Sequence, residues 1–157
     1  MTKNHYLLIS ELPEDALAGE DPREVKPLRS WWVVPHSNFE YKIGWSTPLL
    51  KPRDDELVVL VHGVDKELET YRAFAMHVAF SSSEGIVVRA VTPSYIMEPR
   101  FIYEVLGDRP YTVFPCGAWL VDKNTILLSY GAADQMVGFG LLNVDELMSE
   151  LDRGRIY

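Results

Sequence analysis

From Gly44 onward the chain is a succession of short apolar runs cut by tight polar turns. The runs "STPLLKP", "LVVLVHGV", "TYRAFAMHVAF" and "IVVRAV" are joined by "RDDE", "DKELE" and "SSSEG". Strands joined by so few residues pair as antiparallel neighbours, because a parallel crossover needs a dozen residues or more. Along the third run, Tyr71, Ala73, Ala75 and His77 alternate with Arg72, Phe74, Met76 and Val78. Both sets are apolar enough to predict a strand covered on both faces. "TPSYIMEPRFIYEVLGDRPY", with Pro93, Pro99 and Pro110, is too long for a hairpin loop and reads as a crossing between two sheets. Strands then resume as "TVFPCGAWLVD", "TILLSYGA" and "QMVGFGLLN". The end, "NVDELMSELDRG", is helical: Asn143 or Asp145 can cap it, Leu147, Met148 and Leu151 share a face, and Gly154 stops it.

The first part of the chain is less regular. "HYLLIS" and "SWWVVPHS" read as strands around an acidic, proline-bearing loop that contains "GEDPREV". The division expected is an irregular segment with short strands over 1–41 and an all-β domain over 42–157. An internal repeat runs through the second part. "LVVLVHGVD" before "YRAFAMHVAF" matches "TILLSYGAAD" before "MVGFGLLNV", with Gly63 and Gly131 in register. Repeated antiparallel sheets without helices between them are the pattern of propeller blades.

Charge and composition remove several function classes. Lys and Arg are scattered singly in a chain of 157 residues and net charge −8, so no nucleic-acid partner is expected. No apolar run approaches membrane-spanning length, and the N-terminus lacks a basic-then-apolar leader pattern. With its single cysteine, Cys116, the chain reads as a cytoplasmic protein with no intrachain disulfide and no membrane contact. Cys116 itself reads as a small buried residue. His62 and His77 have no third ligand at useful spacing, so no metal is expected.

"VFPCGAWLVDKNTILLSYGAADQMVGFGLLNVDELM" resembles the C-terminal end of glycoside hydrolase family 130, with its "FPCG" turn, "YGAAD" strand end and closing helix. "IGWSTPLLKPRDDELVVLVHGVDKELETYRAF" and "EPRFIYEVLG" resemble upstream family segments, so the likeness covers about residues 42–150. The resemblance implies β-mannoside phosphorylases and related hydrolases on a five-bladed β-propeller. The fold expected here is all-β: the last two to three blades, as antiparallel four-stranded sheets, with a short C-terminal helix. The implied function is action on, or binding of, β-linked mannosides with inorganic phosphate as co-substrate and no other cofactor. The alternative is a non-catalytic carbohydrate-binding or assembly subunit, or a truncated relic.

By the same resemblance, His62 is a phosphate or sugar ligand, Tyr71 a phosphate or sugar contact, and Asp134 the carboxylate that accepts hydrogen bonds from sugar hydroxyls. Read from residues alone, His62 is a satisfied strand-end histidine, Tyr71 a cross-strand core aromatic, and Asp134 a hairpin-turn acid. Asp21 in "GEDPREV" carries the letters of the family's general acid. It stands too close to "HGV" for the blades that should intervene, and Asp-Pro is ordinary turn chemistry, so the catalytic residue stays unassigned with Asp21 its one candidate. Tyr130 is expected to pack between blades and Arg72 to be a solvated strand residue. Two or three blades cannot close a ring. A homo-oligomer, a partner chain completing the propeller, or poor solubility therefore follows, with Trp31, Trp32 and the strand at 71–80 supplying the apolar surface.

Overall fold

The computed structural model describes residues 7–16, 26–34, 37–81 and 85–156. In chain order the elements are β1 (Leu7–Glu11), β2 (Arg29–Val34), β3 (Glu40–Trp45), β4 (Leu50–Arg53), β5 (Glu56–Asp65), β6 (Tyr71–Ser81), β7 (Gly85–Val91), α1 (Ile102–Val105), β8 (Val113–Asp122), β9 (Thr125–Ala132), β10 (Met136–Asn143) and α2 (Val144–Arg153). The chain is mostly antiparallel β-sheet with a short C-terminal helix. Asp21 lies outside the described residues, as do the side chains of Trp31 and Trp32.

The largest sheet runs β3-β5-β6-β7, with β4 also paired to β5. Sequence reading expected a four-stranded meander starting at "STPLLKP" and missed β3. The cause is a break rather than an extra strand. β3 pairs with the far half of β5, from Val61 to Asp65, and β4 with its near half, at Glu56 and Val58. Pro48 cannot donate to a ladder. At the break Thr47 fills in: its N–H donates to the Leu60 carbonyl at 3.2 Å, and its hydroxyl accepts from the Leu60 N–H at 3.1 Å. Residues 40–53 therefore act as one interrupted edge strand along β5, and β3 itself crosses position 41/42. The other sheets differ from the four-stranded expectation: three strands in the order β10-β9-β8, and the hairpin β1-β2.

β6 is covered on both faces, as its alternation predicts. On one side Phe74, Met76 and Val78 pack with Ile43, Val59 and Val61. On the other, Ala75 joins Leu50, Val58 and Leu60 against Ile126, Leu128, Tyr130 and Ala132 of the second sheet, and against Val144, Leu147, Met148 and Leu151 of α2. Strand 71–80 is thus packed on both faces over most of its length, and of its large apolar side chains Phe80, near its end, is the exposed one. The expectation for Tyr130 holds: it is buried between the two sheets. Helix α2 starts where its cap predicts, with Asn143 Oδ1 accepting from the Glu146 N–H at 3.0 Å, and Gly154 stands at its C-cap.

Two residue readings are corrected. Arg72 is not solvated: its side chain is 15% exposed, ion-pairs with Glu98 and lies over the Tyr95 ring at 5.6 Å. It ties the segment after β7 back onto β6. Cys116 is exposed: buried Val113 and Pro115 leave it on the outer side of the β8 alternation.

Candidate functional site

Tyr71, the first residue of β6, is the centre of a cluster at one end of the two sheets. Its ring stands edge-on to His62 at 5.5 Å and to Phe114 at 5.4 Å. Two cations lie over it, Arg109 at 5.4 Å and Lys42 at 5.8 Å from the ring centre. Arg109 Nε in turn lies 3.4 Å from Asp134 Oδ2. The three residues singled out from sequence, His62, Tyr71 and Asp134, are therefore joined in one chain of contacts through Arg109.

His62 is held from several directions. Its Nδ1 and the Ser46 hydroxyl are 2.8 Å apart, and its ring lies tilted on Phe114 with centres 4.3 Å apart. Gly44, its cross-strand partner, leaves room for the ring: a Cβ there would sit 2.3 Å from Cε1 and Nε2. Burial, and secondarily the positive charge of Lys42, lower the His62 pKa from 6.5 to about 4. The imidazole is thus neutral at pH 7, a hydrogen-bonding group and not a charge. The cations of the cluster are Lys42 and Arg109.

Asp134 proves to be both turn residue and cluster member. Ala133 and Asp134 have φ of 49° and 55°, and the Gln135 N–H donates to the Ala132 carbonyl at 3.1 Å, which closes a primed-type hairpin turn. Asp tolerates the left-handed region better than most residues. The turn is also docked. The Ala133 N–H donates to the Thr112 carbonyl at 2.9 Å, and the Ala133 carbonyl accepts from the Arg109 N–H at 3.0 Å. Gly107 makes that approach possible, since a Cβ there would meet the Ala133 carbonyl oxygen at 2.6 Å. The crossing segment is thereby pinned to the β9-β10 turn, and Arg109 is delivered beside Asp134.

Sequence reasoning missed Arg109, Lys42 and Ser46. Arg109 sits in a proline-bearing connection with no periodicity, Lys42 lies within the unrecognised β3, and Ser46 directly follows it. It also missed Glu104, a buried carboxylate that accepts from the Arg100 N–H at 2.6 Å, the Phe101 N–H at 2.9 Å and the Tyr130 hydroxyl at 2.6 Å. Burial pushes its pKa upward, but these donors outweigh burial and hold it below the ordinary carboxylate value. A general acid needs the opposite shift, so Glu104 is a structural anchor. It borders a cavity of about 290 Å³ that also touches Met97, Phe101, Tyr103 and Tyr130 but none of His62, Tyr71 or Asp134. Among the described residues no three or more His, Cys, Asp or Glu side chains gather as a metal site.

An antiparallel β chain that gathers a neutral histidine, an aromatic hub, two cations and a turn-borne carboxylate presents groups suited to an anionic or hydroxyl-rich ligand. The chain belongs to glycoside hydrolase family 130, described as beta-1,4-mannooligosaccharide phosphorylase, whose pattern it matches over residues 1–153. The match extends well before residue 42, where the motifs read from sequence begin. A beta-1,4-mannooligosaccharide phosphorylase of Ruminococcus albus is 30% identical over 147 residues, which is 90% of this chain and 40% of that protein. A beta-1,2-mannobiose phosphorylase of a Thermoanaerobacter species is 31% identical over 113 residues, 71% of this chain and 35% of that protein. The fold is shared with the beta-1,2-mannobiose phosphorylase of Listeria innocua in complex with beta-1,2-mannobiose. That likeness has a TM-score of 0.67 at 24% identity over 80% of this chain and 34% of that one. The chain spans about two fifths or less of the length of each relative it matches.

Proposed function

We propose that this chain is part of a β-mannoside phosphorylase, a partial five-bladed propeller that contributes groups recognising the sugar and inorganic phosphate. The observation that carries this is the contact chain from His62 through Tyr71 and Arg109 to Asp134. In inverting phosphorolysis a phosphate oxygen attacks the anomeric carbon. The glycosidic C–O bond breaks on the opposite side, and an acid gives its proton to the departing oxygen. Phosphate is already anionic, so this scheme needs one carboxylic acid and a cationic phosphate site in place of the paired carboxylates of hydrolysis. In this reading Arg109 and Lys42 supply the positive charge, and neutral His62 and the Tyr71 hydroxyl supply hydrogen bonds. The Asp134 carboxylate accepts from sugar hydroxyls while Arg109 holds it in place.

Among the described residues no side chain is assigned as the acid. Glu104 is held ionised, and Asp21 lies outside the described residues. A second reading is a non-catalytic mannoside-binding or assembly subunit. Assay of the purified chain on β-1,4- and β-1,2-mannobiose, with and without phosphate, tests the proposal. The expected outcome is phosphate-dependent turnover that is weak, because no described residue fits the general acid, a group that contributes on the order of 10²–10⁴-fold. Robust turnover abolished by Asp21→Asn would make Asp21 the acid. No phosphate dependence and no mannoside binding would remove the phosphorylase reading.

A further inference from the structure

His62 is neutral at pH 7, so one ring nitrogen carries a hydrogen and the other a lone pair. Which is which decides whether the ring donates to a ligand or accepts from it. The surroundings of Nδ1 point one way. Ser46 Oγ lies 2.8 Å from it, and among the described residues that hydroxyl has no other hydrogen-bond partner. Were Nδ1 the donor, the Ser46 hydrogen would have no described acceptor. With the hydroxyl donating, its hydrogen and the Nδ1 lone pair satisfy each other, and the ring hydrogen falls on Nε2.

Ser46 is well placed to hold the ring. It directly follows β3, at the break where Thr47 makes both hydrogen bonds to Leu60, so the backbone beside it is fixed. Gly44, paired with His62 across the strands, lies under the Cε1–Nε2 edge of the ring. Lys42, two residues before Gly44, shares that face of β3. Its ammonium has only donors to offer, as has the guanidinium of Arg109, the other cation over Tyr71. An Nε2–H adds a third donor to this group and suits an anion. A lone pair at Nε2 would instead face the same anion with repulsion.

We propose that Ser46 is a positioning residue: its hydroxyl donates to Nδ1 of His62, holds the ring as the Nε2–H tautomer, and so makes His62 a donor to phosphate. The hold on the ring stands on the geometry alone, and the use made of it rests on the phosphorylase reading. Two-bond ¹H–¹⁵N correlation spectra of the ¹⁵N-labelled chain at pH 7 test it, with His62→Asn assigning the signal and circular dichroism checking the fold. In the wild type Nδ1 should show the shift of a bare ring nitrogen and Nε2 that of a protonated one. Ser46→Ala should draw the two shifts together as the tautomers mix, and weaken binding of inorganic phosphate roughly three- to tenfold. Ser46→Thr, which keeps the hydroxyl, should restore both. A wild-type ring protonated at Nδ1 would overturn the proposal, and no variant need fold for that to be seen. So would a Ser46→Ala chain with unchanged shifts, or one that binds phosphate as tightly as the wild type. The expected tautomer, lost in Ser46→Ala, in a chain that binds no phosphate would uphold the grip of Ser46 on His62 and remove the phosphorylase reading.

Discussion

His62 shows how a single residue can be ambiguous in sequence and decided by its neighbours. As a strand-end histidine it had an ordinary structural reading. The structure gives it Ser46 at Nδ1, Phe114 on its ring and Gly44 beneath it. The cost of this position is a pKa of about 4, caused first by burial and then by Lys42. The unfolded chain binds a proton near 6.5, the folded chain only near 4. The unfolded state therefore binds more protons between those values, and stability must rise with pH across the window. Thermal melts from pH 7 to pH 4 should show the wild type losing about 1–3 kcal/mol, allowing for solvent screening. His62→Asn should flatten that part of the curve. Equal slopes for the two proteins would mean that His62 is not held neutral by its surroundings.

At the scale of elements, Tyr130 of β9 bridges three parts of the chain. Its hydroxyl donates to Glu104 of α1, and its ring lies against Gly138 of β10. A Cβ at 138 would fall 2.2 Å from the ring, and Tyr130 is buried and held in place by its hydroxyl's bond to Glu104. Gly138→Ala should destabilise the chain by about 2–4 kcal/mol, combining overpacking with loss of a donor to a buried carboxylate. Urea unfolding measures it, and a change under 0.5 kcal/mol would contradict the packing described. Most elements were legible in the sequence, because β4 to β10 alternate or run apolar between turn residues and α2 carries its own cap. What escaped was short. β3 holds "EYKIGW", in which Tyr41, Ile43 and Trp45 alternate with Glu40, Lys42 and Gly44 over only six residues, and it is held as a strand by lying along the long β5. The four-residue α1 sits in a proline-bearing connection and is fixed by Glu104, whose partners include Tyr130 far along the chain.

At the scale of the whole molecule, the repeat and the motifs pointed to the right family, and two of the sequence's site candidates, His62 and Tyr71, lie on paired strands β5 and β6. Asp134 comes from the other sheet, and no sequence pattern indicates that it meets them. The meeting depends on the crossing segment, which Gly107 allows to approach the β9-β10 turn so that Arg109 stands between Tyr71 and Asp134. Exposed apolar surface exists, but chiefly on the outer face of β8-β9-β10, with strand 71–80 contributing Phe80, because both faces of that strand are packed over most of its length.

The central claim is that His62, Tyr71, Arg109 and Asp134 form one ligand surface. Titrating the ¹⁵N-labelled chain with β-1,4-mannobiose in phosphate buffer, followed by amide chemical shifts, tests it most directly. The account predicts saturable shifts concentrated at residues 42–46, 62–63, 71–72, 107–112 and 131–135. Asp134→Asn should weaken them roughly tenfold or more with the remaining spectrum intact, since a carboxylate bonded to a hydroxyl contributes about 1.5–3 kcal/mol. Saturable shifts centred elsewhere, or no shifts at millimolar sugar with phosphate present, would contradict it.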